Sequence, residues 1–132
     1  MADHERIQQG LEMRRRLMGE AHVDRMAKSV YTGPVMKKFL DLSSDIAFAT
    51  VWRRPGLDLK TRTLITCISD TATGMLPELA IHLRMALRQG WTEDELVEAV
   101  LHLSVYVGLP HVRDALLTAE RVFAEVKSDG GR

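Results

Sequence analysis

Glycine and proline interrupt this chain at fairly regular intervals, and the spacing of those breaks limits its fold more than any other feature. They stand at Gly33-Pro34, Pro55-Gly56, Gly74 to Pro77, Gly90, Gly108 to Pro110 and Gly130-Gly131. Both residues disfavour the interiors of regular elements, so their clusters mark connections. The stretches between them run to roughly 15 to 20 residues, a helical length rather than a strand length. No Asn-Gly or Asp-Gly pair sits between two such stretches to close a hairpin. The spacing therefore predicts an all-α fold of about six helices, over 8–17, 35–52, 57–73, 77–89, 92–107 and 112–126. A chain of 132 residues can bury one core but not two, so a single domain over 1–132 is expected.

Local signals sharpen the helices. Thr92 followed by Glu95 reads as a capping box after Gly90, with Trp91 placed to staple onto Leu96. The helix it opens carries Leu96, Val97, Val100, Leu101, Val105 and Val107, apolar on nearly all sides toward its end, as suits a central helix or a subunit contact. Asp58 can cap the helix that follows it, with Leu64, Ile65, Ile68 and Ala72 as the buried stripe. Leu79, Leu83 and Ala86 face inward on the next helix; Ala115, Leu116, Ala119, Val122 and Phe123 do so on the last. Apolar stripes this extensive in so small a body imply a homo-oligomer.

Charge narrows the function. Lys plus Arg equals Asp plus Glu at 18 each, so the chain lacks the basic excess of a nucleic-acid binder or a polybasic membrane anchor. Cys67 is the single cysteine, which excludes an internal disulfide, a Cys-x-x-Cys redox pair and a multi-cysteine zinc site. Histidines and acids are too scattered for a metal cluster, and no glycine-rich phosphate loop is present. The charged start, Met1 to Arg6, and the lack of any apolar run near the roughly 20 residues that span a bilayer lead us to expect a cytoplasmic protein.

Three groups of side chains could carry chemistry. Glu78 and His82, four apart, share one helix face; the carboxylate could hold one ring nitrogen and leave the other to move a proton, or the two could form a surface ion pair. His102 and Tyr106, also four apart, stand in the apolar helix as either pocket-lining or core groups. Among the arginines, Arg53, Arg54 and Arg62 are candidates to grip a carboxylate, or to bridge helices. Cys67, between Thr66 and Ile68, reads as an inert buried thiol.

Six ordered segments give the chain a family likeness. They are Gly10 to Arg14, Met18 to Val23, Val51 to Asp58 (with Trp52, Arg53 and Arg54), Lys60 to Thr66, Pro77 to Arg84, and Leu101 to Pro110. Together they resemble the carboxymuconolactone decarboxylase family, within the AhpD-like all-α superfamily. The dithiol peroxidases of that superfamily carry Cys-x-x-Cys-x-x-x-His; aligned on His82, their cysteines fall on Met75 and Glu78, so dithiol chemistry is not expected.

The resemblance implies loss of CO2 from 4-carboxymuconolactone to give the beta-ketoadipate enol-lactone, in aromatic catabolism, without a cofactor or metal. It implies a trimer or hexamer. On this likeness His82 would transfer the proton or contact the oxyanion, with Glu78 tuning it. Arg62 or Arg54 would hold a carboxylate of the acidic substrate, and His102, Tyr106, Trp52 and Arg113 would line the site. The chain departs from the family pattern at His111-Val112-Arg113, where Ala-Ala-Asn is usual, around Ile46 to Thr50, and over Thr71 to Leu76. Those departures leave two alternatives open: acid/base isomerisation, cyclisation or hydrolysis of another unsaturated carbonyl compound, and a non-catalytic oligomeric binding protein.

Overall fold

The computed structural model describes residues 2–130 and is all-helical over that range. It contains α1 (Ala2–Met18), α2 (Glu20–Ser29), α3 (Pro34–Ser43), a π-helix (Ser44–Val51), α4 (Leu59–Thr73), α5 (Leu76–Arg88), α6 (Glu93–His102), a short 3-10 turn (Leu103–Val105) and α7 (Leu109–Ser128). The chain divides between Leu57 and Asp58 into two compact units. No described helix is long and apolar enough to cross a membrane.

The N-terminal unit differs most from the expected pattern. A second helix, α2, follows a break at Gly19, with Glu20 in its first turn and Lys28 in its last. The expected helix over 35–52 forms, but changes type at Ser44. From there the Thr50 hydroxyl and the Trp52 amide both donate to carbonyls five residues back, those of Asp45 and Ala47. Alpha1 lies against this π-helix so closely at Gly10 that a Cβ there would fall 1.8 Å from the Ser44 carbonyl oxygen. Arg6 bonds Asp45, and Arg53 bonds Gln9. Arg14 is buried with its guanidinium over the Tyr31 ring, 5.1 Å from the centroid, and burial lowers its pKa.

The C-terminal unit packs α4 to α7 around Leu79, Leu83, Ala86, Leu96, Val100, Ala115 and Val122. Asp58 accepts from the Thr61 amide, and the capping box of Thr92 and Glu95 is complete. Alpha4 turns a different face inward from the one expected. Its buried residues are Thr63, Cys67, Asp70 and Thr71, whereas Ile65 is half exposed and Leu64, Ile68 and Ala72 are only partly covered. Each buried hydroxyl has a partner. That of Thr63 lies 2.8 Å from the Leu59 carbonyl, and that of Thr71 donates to the Cys67 carbonyl. Small polar groups can line a helix contact when they are satisfied in this way, and the count of apolar residues was misleading here.

Alanine at Gly10 meets backbone, which cannot step aside as a side-chain tip would. Gly10→Ala should destabilise the N-terminal unit by about 2 to 4 kcal/mol, near or above the usual overpacking cost, read as a fall in urea midpoint. Thr92→Ala, which removes one cap, should cost about 1 kcal/mol.

Candidate active site

The turn from α4 to α5 brings the chemically useful groups of the C-terminal unit together. Gly74 ends α4 in the left-handed conformation, φ 71°, and Pro77 lies in the first turn of α5. Asp70 is in the last turn of α4. Side chains on a helix lean toward its N-terminus, so His82 reaches back from α5 toward this turn. Its Nδ1 lies 2.5 Å from Asp70 Oδ2. The two side chains are sheltered, at 12% and 11% exposure. No described residue bonds Nε2, and among the described residues no buried side-chain nitrogen or oxygen lacks a partner, so Nε2 is the ring nitrogen open to the surface.

This arrangement corrects the expected pairing of Glu78 with His82. Glu78 is exposed in the first turn of α5 and makes no bond to the ring. The carboxylate that holds the ring comes from the neighbouring helix, at a separation of 12 in sequence.

His111 joins the same turn. Its Nε2 lies 3.8 Å from where a Cβ on Gly74 would be, so the departure at 111–113 places an imidazole against the α4–α5 turn. Cys67 stands one turn before Asp70, 2% exposed, and burial followed by the charge of Asp70 pushes its thiol up to about 12. That makes it the inert thiol expected.

The other candidates lie apart from this pair or elsewhere in the chain. Arg62 is half-buried on α4, near the opposite end from Asp70. Trp52 is half-buried just past the π-helix and Arg54 is exposed in the following turn, both in the N-terminal unit. The rings of His102 and Tyr106 meet at a tilt of 34° with centroids 5.3 Å apart, but on the outside of the chain, with Tyr106 71% exposed. Neither is a core group, and neither lines the groove described next. Alpha6 ends at His102, and in the 3-10 turn after it only Leu103 is buried.

Arg113 is exposed, with Nε 3.1 Å from Asp114, and borders a groove of about 410 Å³. The groove is walled by Leu101, Leu109, Leu116 and Leu117, with Glu120 also on its lining; Asp70 and His82 are not part of it. No three described His, Cys, Asp or Glu residues are grouped to hold a metal ion.

Comparison with known proteins adds the following. Residues 37–121 match the Carboxymuconolactone decarboxylase family, across the division at Leu57–Asp58. The chain is 40% identical over 126 residues to "4-carboxymuconolactone decarboxylase" of Acinetobacter baylyi, covering 96% of this chain and 92% of that protein. It is 32% identical over 128 residues to "Nitrosuccinic acid decarboxylase npaB" of Metarhizium robertsii, covering 96% and 88%.

Burial and the raised pKa together predict a silent thiol. Cys67 should react with a thiol-specific disulfide reagent at pH 8 at least roughly a thousandfold more slowly than a free cysteine of ordinary pKa, and at the ordinary rate once the protein is unfolded in guanidinium.

Proposed function

Because the chain belongs to the carboxymuconolactone decarboxylase family, we propose that it is a carboxy-lyase that removes CO2 from an acidic unsaturated lactone, 4-carboxymuconolactone or a close relative, in aromatic catabolism. One observation carries the assignment to this site: a sheltered imidazole, anchored through Nδ1 and open at Nε2, on a chain aligned over nearly its whole length with a decarboxylase of that lactone.

The chemistry asks little of the protein. When CO2 leaves, its bonding electrons pass through the conjugated double bond onto the lactone carbonyl, giving a dienolate. The protein must stabilise that oxyanion and return a proton to carbon. Nitrosuccinic acid, the compound named for the second relative, also places a carboxylate near an electron-accepting group. Both named substrates therefore fit a site built to stabilise an oxyanion and deliver a proton.

His82 performs that work in this reading. Glu78, one turn earlier at the solvent edge, keeps an acid within reach for proton exchange. Arg62 holds a carboxylate, and Arg113 contributes to substrate binding. His111, against Gly74, is the departure from the family pattern best placed to alter substrate choice. The whole chain, 1–132, acts as one functional domain, in the cytoplasm, where a single unpaired cysteine is ordinary.

A homo-oligomer, trimeric or hexameric, completes this reading. Leu101, Val105, Tyr106, Leu109 and Leu117 form an exposed apolar set that runs from the end of α6 through the 3-10 turn onto α7. A second copy seated there would also cover His102 and Tyr106 and return them to a sheltered, pocket-lining setting.

Three measurements test these assignments. Incubation with 4-carboxymuconolactone should release CO2 and remove the conjugated absorbance; a rate equal to buffer would eliminate this substrate. His82→Gln should lower kcat by on the order of 100-fold or more with unchanged helicity. Light scattering should give a multiple of the 14.9 kDa protomer mass, and Leu117→Glu should shift the protein toward that protomer mass.

A further inference from the structure

We propose that Asp70 is a positioning residue: it accepts the Nδ1 proton of His82 and so makes Nε2 the nitrogen that exchanges a proton with substrate. The proposal rests on the role given to His82 above and deepens it by naming the group that decides which atom acts.

Packing alone does not account for Asp70. Its residue exposure is 8%, on the inner face of α4 among Cys67, Thr63 and Thr71. It also lies in the last turn of that helix, at the negative end of the helix dipole, and that turn carries no basic side chain. A carboxylate is the least favourable group to bury there. A hydrophobic side chain of similar size would fill the space at no electrostatic cost, and buried ionic pairs typically add little net stability over such a replacement. The side-chain partner of Asp70 among the described residues is His82, across the α4–α5 turn. Glu78 cannot substitute for it, since it is exposed and unbonded to the ring.

The consequence is a defined atom for each step. A histidine without this contact can turn about its ring bond and present either nitrogen. With Nδ1–H committed to Asp70, only Nε2 reaches the surface. In the proposed reaction the bond to CO2 breaks and its electron pair moves to the lactone oxygen. The carbon next to the carbonyl then takes the proton from Nε2–H. The electrons of that N–H bond stay on Nε2, leaving a neutral ring still bonded through Nδ1–H to Asp70. Solvent returns the proton to Nε2, which balances the single proton the decarboxylation consumes.

The experiment combines nitrogen NMR with kinetics. Protein labelled with 15N-histidine is compared as wild type, Asp70→Asn and Asp70→Glu, with His82→Gln to assign the ring. Neutral His82 should be the Nδ1–H form in the wild type; a predominant Nε2–H form there overturns the proposal, whatever the variants do. Asp70→Asn should mix or reverse the two forms, lower kcat by on the order of 100-fold and leave KM within about twofold; Asp70→Glu should recover at least a tenth of the activity. An Asp70→Asn protein with the wild-type ring form, or with wild-type kcat, also overturns it. Should Asp70→Asn fail to fold by circular dichroism, the wild-type ring form and the Asp70→Glu activity decide the matter. Because the ring form is read without substrate, a protein that does not turn over 4-carboxymuconolactone sinks the substrate assignment and leaves the test of Asp70 intact.

Discussion

The contact on which the rest of the site depends is the one between Asp70 and His82. It joins the end of α4 to the body of α5 across a reversal that only glycine makes easily, at Gly74. A carboxylate at the negative end of a helix and an imidazole sheltered from water are each unfavourable alone. Placed 2.5 Å apart, they satisfy one another and leave one ring nitrogen open. That geometry turns a helix pair with an ordinary apolar core into a candidate for proton chemistry. The thiol of Cys67 is quiet chiefly because it is buried, and the neighbouring Asp70 carboxylate further disfavours a second negative charge.

Charge pairing elsewhere in the C-terminal unit has a plainer purpose. Arg84 on α5 bonds Glu125 on α7 and approaches Asp129, tying two helices together at the surface. Such partly exposed pairs contribute little each. The contrast with Asp70 and His82 is one of burial: a sheltered pair restricts geometry, whereas an exposed pair mostly decorates a contact already made by Leu79, Leu83 and Ala115.

Much of the fold was legible from local signals. The capping box at Thr92 and Glu95, the cap at Asp58 and the inward faces of α5 and α7 all rest on interactions within a few residues. The misreadings occurred where distant groups intervene. The helix over 35–52 has no internal breaker, yet it becomes a π-helix where Gly10 presses on Ser44. Alpha4 reads as amphipathic through Leu64 and Ile65, but it buries Thr63, Cys67, Asp70 and Thr71 because their polar atoms find partners. Alpha2, only ten residues long, was missed because its one strong mark, Gly19, is not part of a Gly-Pro cluster.

By itself, the sequence determined the all-α class, the family and the absence of a dithiol, and it offered His82 as a candidate, because each depends on residue identity and short-range spacing. Tertiary structure alone decided which carboxylate holds His82, that His111 lies against the α4–α5 turn, and that His102 and Tyr106 face outward from the chain. Helical periodicity specifies which side chains share a face. It carries no record of which group the neighbouring helix will bring to that face, and the acid nearest in sequence, Glu78, yielded to one brought there by the turn.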